Sequence, residues 1–332
     1  MSDRVESEFQ LSFPRDRAVL PAFVGATRVG VALTALALAF AASGCKRPQP
    51  EEKAGAPGAS APAAAVPAPI ASGIPMAPDQ ISRVVNPDGK KAYSGPAGKV
   101  FGVVTMKGDP PPELEPVVAQ IKNDCAPARE VYGQLFREGP GRTLADVFVA
   151  VTGYDGYVPP EKSVVTVSAS GCAWSTRTVG MTFGQRLEVV SKDRKAYVPD
   201  LMGASMAAQI VALPGGSGSA LYPESPGRYL LVDSMRIFSR AEVLVVKYAT
   251  HSVTGLDGKF SIENVPAGKV TLSAILPATG ETVERSIEIN PSRPLEQNLE
   301  FNFDAAKYRE AVEAAKKAGA APSAAPTPAT SR

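Results

Sequence analysis

The chain has 332 residues, enough for one large domain or two small ones, with 35 basic and 33 acidic side chains. A net charge of +2 gives no basic excess for nucleic-acid binding, so no nucleic-acid partner is expected. One histidine, His251, and three cysteines leave little material for metal or acid–base chemistry, so no cofactor, no metal and no enzymatic activity are expected.

The chain opens with a long leader. Val29 to Ala41 form a short charge-free apolar run behind Arg28, followed by Ala42-Ser43-Gly44-Cys45. A charge, a short apolar core and small residues before a cut describe a secretory signal. A spanning helix needs about 20 apolar residues, more than this run supplies. The cysteine directly after Ser-Gly is similar to the bacterial lipobox, with Ala42 where Leu is commoner. Cys45 is therefore expected to carry lipid, and residues 1–44 to be a lipoprotein signal peptide. The alternative is an ordinary secretory signal with an incidental cysteine.

Residues 45–78 are rich in Pro and Ala and lack periodic apolar positions, so they predict a disordered, semi-extended tether. If Cys45 is lipidated, Cys125 and Cys172 remain, and an oxidising compartment would join them. Such a bridge closes a loop of about 47 residues and contributes on the order of 3–4 kcal/mol in the chain-entropy model.

Beyond the tether the pattern is β. Short β-branched runs at Val100–Met106, Ala145–Thr152, Ser163–Ala169, Arg186–Ser191, Gln209–Leu213, Arg228–Asp233 and Glu242–Tyr248 are separated by Gly, Pro, Asp and Ser clusters. Lys259–Val265, Val270–Leu276 and Thr282–Ile289 follow, with hairpin turns expected at Leu256–Lys259 and Pro277–Gly280. The predicted class is all-β: one or two antiparallel Greek-key sandwiches behind the tether, with a short C-terminal helix. That helix is expected from Ala305 to about Ala318, capped by Asp304, with Tyr308, Val312 and Ala315 on one face. A biased tail, 320–332, reads as disordered.

Thr254-Gly255-Leu256-Asp257-Gly258-Lys259-Phe260-Ser261-Ile262 and the following Val265-Pro266-Ala267-Gly268-Lys269-Val270-Thr271-Leu272 resemble the hallmark of carboxypeptidase regulatory-like (transthyretin-like) domains. Val270 stands where that hallmark has an aromatic. Independently of the resemblance, Asp-Gly supplies a tight turn, and Phe260, Ile262 and Val265 are expected to face inward.

Cys125, Asp146-Val147-Phe148-Val149, Gly171-Cys172, Phe183-Gly184-Gln185-Arg186-Leu187-Glu188-Val189 and Ser239-Arg240-Ala241-Glu242-Val243-Leu244-Val245 resemble a bacterial group joining this domain to a cupredoxin-like sandwich. In copper-binding members a C-x-x-H-x-x-M run precedes the last strand and a histidine follows the L-E-V strand, a soft donor set suited to copper. Here those positions read Asp233, Arg236 and Ser239, with Tyr197 near the upstream histidine. The resemblance thus implies a cupredoxin-like scaffold without copper, with Met235 as core or rim. It divides the chain into a cupredoxin-like unit over 95–250, a regulatory-like segment over 251–302 and a helix over 303–319.

An ion pair among Asp233, Arg236 and Arg240 is expected where copper would sit. His251 reads as a turn residue, or alternatively as a general base or pH sensor. Gly215-Gly216-Ser217-Gly218-Ser219 reads as a strand connection, since no Lys-Ser/Thr follows to make a phosphate loop. Trp174 and Arg177 read as core packing or as a ligand-stacking pair. Together these features predict a non-enzymatic outer-membrane lipoprotein facing the periplasm or the cell surface. Its expected partners are the membrane, through the lipid, and an envelope protein or polysaccharide. The alternatives are an envelope carbohydrate-binding module and a cupredoxin-like electron-transfer protein, the second disfavoured by the missing ligands.

Overall fold

The computed structural model describes residues 70–205 and 208–317. Cys45, the signal segment, most of the expected tether and the tail 320–332 lie outside the described residues.

Alternating burial along the strands builds two β-sandwiches. In the first, one sheet runs in the order Ile70–Ser72, Ser219–Leu221, Arg186–Ser191, Val164–Ser170, Ala173–Trp174. Its partner sheet runs Thr178–Thr182, Arg236–Val246, Gly227–Asp233, Pro199–Met202. In the second sandwich, His251–Val253, Phe148–Thr152, Gly268–Leu276 and Glu281–Ile289 face a sheet of Lys259–Pro266, Ala97–Gly108 and Leu295–Glu296. Leu299–Phe303 also pairs with Ala97–Gly108. Most pairings are antiparallel. Crossing connections add parallel ones, such as Val164–Ser170 with Arg186–Ser191.

Each sandwich closes on its own core. Trp174, Tyr197, Met181, Leu187 and Leu231 lie in the first, and Phe136, Leu144, Leu272, Phe301 and Met106 in the second. A third, smaller cluster joins Phe148 and Ala150 of one sandwich to Leu244 and Val246 of the other. The sheets therefore stack four deep, and Phe148–Thr152 is buried on both faces. That explains why its sequence is a continuous apolar run rather than an alternating one.

A boundary between residues 250 and 251 does not describe how the cores divide. Ala97–Gly108 and Phe148–Thr152 lie before that boundary, yet they complete the sandwich of Lys259–Leu276 through the pairs Phe260↔Gly102 and Leu272↔Val151. The stretch 251–302 alone supplies only part of each of these two sheets, and strands from upstream complete them. The expected tether also ends early. Ile70–Ser72 pairs in parallel with Ser219–Leu221, and the helix Pro78–Val85 sets Ile81 against the first core.

Local signals otherwise translate directly. Gly258 adopts φ +66° in the Asp-Gly turn, and Phe260, Ile262 and Val265 are buried. The C-terminal helix spans Ala305–Lys317, and Asp304 Oδ1 accepts the N–H groups of Ala306 and Lys307, both at 3.0 Å. Tyr308 packs on Phe303 with ring centroids 5.7 Å apart. Gln209–Leu213 forms no strand: Ala212 alone bridges to Tyr197, while Val211 and Leu213 point to solvent.

Cys125 and Cys172 are joined in a disulfide across 47 residues. Cys172 and Gly171 both have positive φ, 67° and 59°, and turn Val164–Ser170 into Ala173–Trp174.

Candidate functional site

The hairpin between Gly227–Asp233 and Arg236–Val246 carries three of the four positions singled out from the sequence. Asp233 is fully buried. Its Oδ1 accepts the N–H groups of Val198 and Met235, each at 3.1 Å, and its Oδ2 accepts Arg236 Nη1 at 2.6 Å. Arg236 Nη1 also donates to the Ala196 carbonyl at 3.1 Å, and its guanidinium lies 5.1 Å from the centre of the Tyr197 ring. Arg240 does not join this pair. It is exposed and donates to the Ile237 carbonyl.

Tyr197 links this cluster to the disulfide. Its ring meets Trp174 at 5.7 Å, its hydroxyl accepts the Cys172 N–H at 3.1 Å, and it donates to Asp193 Oδ2 at 2.9 Å. Burial, helped by the Asp193 carboxylate and opposed by the Cys172 N–H and Arg236, pushes the phenol up to about 12. Ser239 completes the set from the other side: its hydroxyl donates to the Cys172 carbonyl, and its own carbonyl accepts Trp174 Nε1 at 3.1 Å. Arg236 thus contacts both Asp233 and Tyr197, and Ser239 is joined to Tyr197 through Cys172 and Trp174.

These residues do not fit copper. A guanidinium stays protonated and cannot ligate, the phenol is held neutral, and the carboxylate and hydroxyl are both engaged. Met235, one residue before Arg236, is 62% exposed and forms the rim. Asp124, Cys125 and Cys172 also bring ligand-type atoms within 4.8 Å of one another, but the disulfide uses both sulfurs.

A second polar cluster binds the sandwiches together. Arg137 holds buried Asp146 with two hydrogen bonds, each 2.6 Å, and Asp146 also accepts the Arg177 N–H at 2.8 Å. The Arg177 guanidinium donates to the carbonyls of Gln134 and Leu135. Trp174, 1% exposed, is core. The Trp174–Arg177 pair therefore packs and fastens, and does not present a stacking face. The Gly215 region, with φ +65° at Gly215, connects to the strand Ser219–Leu221.

His251 opens the strand His251–Val253 between the two sandwiches. Its ring stacks on Phe148 at 5.3 Å and its Nε2 lies 3.3 Å from Thr182 Oγ1. One edge stays at the surface, but desolvation pulls its pKa down to about 4. The sequence reading of a turn residue missed this junction. No local sequence signal announces it; the close fit appears only in three dimensions, at Gly180, where a Cβ would meet Phe148 Cε2 at 2.7 Å and His251 Nδ1 at 3.0 Å.

A groove of about 750 Å³ crosses the outer face of Lys259–Pro266 and Ala97–Gly108, lined by Lys99, Phe101, Val103, Ser261, Lys259 and Glu296 among others.

No protein-family model matches this sequence, and no curated protein matches it. Among solved structures, amicyanin from Paracoccus versutus is similar at 16% identity and a TM-score of 0.22, over 29% of this chain and 96% of that one. A copper-containing nitrite reductase from Thermus scotoductus SA-01 is similar at 18% identity and a TM-score of 0.22, over 28% of this chain and 24% of that one. Likenesses of that size carry no argument, and the β-sandwich architecture rests on the strand order and cores described above.

Proposed function

We propose that this chain is a lipid-anchored, non-enzymatic module of the bacterial envelope, whose paired sandwiches bind or space a partner at the periplasmic or cell surface. The observation that carries this reading is the closed cluster of Asp233, Arg236 and Tyr197. Where a redox scaffold would need free soft donors, the chain supplies its own ion pair, with both Asp233 oxygens, Arg236 Nη1 and the Tyr197 hydroxyl in hydrogen bonds. That argues against the electron-transfer alternative and leaves the sandwiches as a rigid scaffold. The Cys125–Cys172 disulfide supports an oxidising compartment. The lipobox-like Ala42-Ser43-Gly44-Cys45 supports membrane attachment through Cys45.

Fractionation tests the reading. In a Gram-negative host the wild-type chain is expected in the envelope pellet, released by detergent and not by salt, and Cys45→Ser is expected in a soluble or unprocessed form. A wild-type chain that is soluble in the cytosol overturns it.

A further inference from the structure

The end of the first sandwich that carries the Asp233–Arg236 pair exposes apolar side chains from two neighbouring segments. Ala212 bridges to Tyr197, and the Ser234 N–H donates to the Val198 carbonyl at 2.9 Å, so 211–213 and 233–237 both border the stretch 196–198. Val211, Leu213, Met235 and Ile237 are exposed there, the last three with more than half of their surface in water. Grouped exposed apolar side chains mark a contact with a partner or a membrane. We propose, on the lipid-anchor reading above, that this end lies on the anionic phospholipid surface to which Cys45 is tethered. Leu213, Met235 and Ile237 dip into the interface, and Arg194 and Arg240 meet the headgroup phosphates.

Two observations point to this occupant. The first is where the chain enters. Ile70–Ser72 runs parallel to Ser219–Leu221, with Ile70 opposite Ser219. The backbone therefore reaches Ile70 from the side of residues 213–218, the loop that joins Leu213 to that strand. Residues 46–69 separate Cys45 from this point. An anchor so placed presents this end to the bilayer at a higher effective concentration than the far faces. The second observation is charge. Segments 122–125, 192–200 and 233–240, which the disulfide and the Asp233 cluster bring to this end, hold six basic and four acidic side chains. Asp124 and Asp233 are taken by Lys195 and Arg236, and Asp193 accepts the Tyr197 hydroxyl and the Gly171 N–H. Lys192, Arg194 and Arg240 are exposed and form no ion pair among the described residues. Free cations beside exposed apolar side chains match an anionic lipid surface. A protein partner accounts for the apolar group, but not for its place beside the point where the anchored chain enters.

A polarity-sensitive fluorophore tests the contact. With Cys45 acylated and Cys125–Cys172 closed, Ser234→Cys supplies a single free thiol at the exposed hairpin tip, and Ser286→Cys supplies one on the second sandwich. The chain extracted from envelopes is labelled and reconstituted into vesicles of phosphatidylethanolamine with phosphatidylglycerol. Emission from position 234 is expected to shift to the blue, and emission from position 286 to stay at its value in water. Adding Leu213→Ser/Ile237→Ser is expected to remove the shift; both side chains are exposed, and near-UV circular dichroism checks that the fold is kept. Arg194→Gln/Arg240→Gln, or vesicles of phosphatidylcholine alone, are expected to reduce it. Equal emission at 234 and 286 overturns the proposal, as does a shift that survives the apolar variant or ignores both the arginines and the anionic lipid. A shift that persists in detergent and grows with protein concentration also overturns it, because a second copy then covers this end. The intact mass of the same preparation separates the two readings. An acylated chain without the shift refutes the docking alone, whereas a chain without the diacylglyceryl group refutes the anchor and the docking with it.

Discussion

The guanidinium of Arg236 donates across 2.6 Å to the fully buried carboxylate of Asp233 while lying 5.1 Å from the centre of the Tyr197 ring. Three chain segments meet there: the hairpin at 233–236, the 196–198 stretch, and through Tyr197 the disulfide turn at 171–172. Breaking a buried pair by removing one partner typically costs about 3–5 kcal/mol, because the other charge is left without compensation. Asp233→Ala also deprives the Val198 and Met235 N–H groups of their acceptor. Urea denaturation is expected to show a loss in that range, and a neutral Asp233→Ala would remove the ion pair from the account.

The disulfide closes a loop of 47 residues and holds Cys172 at φ 67°, a conformation few L side chains adopt. Cys125→Ala/Cys172→Ala is expected to lower stability by about 3–4 kcal/mol in the chain-entropy model. The same denaturation curve, run with and without a reducing agent on the wild type, checks it. A reductant-insensitive midpoint would speak against a stabilising bridge.

Much of this was legible locally and little of it globally. The hairpin at Asp257-Gly258, the inward Phe260, Ile262 and Val265, and the Asp304 cap follow from turn chemistry and alternation within a few residues. The assignment of strands to sandwiches does not. Phe148–Thr152 pairs with His251–Val253 and Gly268–Leu276, about a hundred residues downstream, and nothing local distinguishes that from pairing with its sequence neighbours. At the site, the resemblance to copper-binding sandwiches pointed to Tyr197, Asp233, Arg236 and Ser239, and with them to the Asp233–Arg236 pair. It assigned Arg240 to the pair in error, because Arg240 points outward beyond the bulge at Val232/Asp233. The Asp146–Arg137 clasp left only an isolated Asp in an apolar run, a signal too common to interpret alone.

His251 gives the fold a defined pH response. Its folded value, about 4, lies below the ordinary 6.5, so above pH 6.5 both states are neutral and it contributes nothing to the slope. As pH falls from 6.5 to 4 the unfolded chain takes a proton that the folded chain refuses, and stability declines. The loss is at most about 3 kcal/mol, since the ring keeps one edge at the surface. Chemical denaturation between pH 7 and 4 is expected to show this decline in the wild type and a flatter one in His251→Gln. Parallel slopes for the two chains would contradict it.

Gly180 leaves the room that His251 and Phe148 fill. A Cβ there would fall 2.7 Å from Phe148 Cε2 and 3.0 Å from His251 Nδ1, so Gly180→Ala forces the interface apart. Overpacking of this kind costs about 1–3 kcal/mol. The expected signature is a lower midpoint together with faster amide exchange along 148–152 and 178–182. Unchanged exchange in both segments would mean the junction can absorb the methyl group.

Everything proposed about function depends on a sandwich pair leashed to lipid through a single sulfur. Intact-mass spectrometry of the chain extracted from envelopes reads that directly. The expected mass is that of a polypeptide beginning at Cys45 and bearing a diacylglyceryl group. A product that retains residues 1–44, with an unmodified thiol at Cys45, would contradict it.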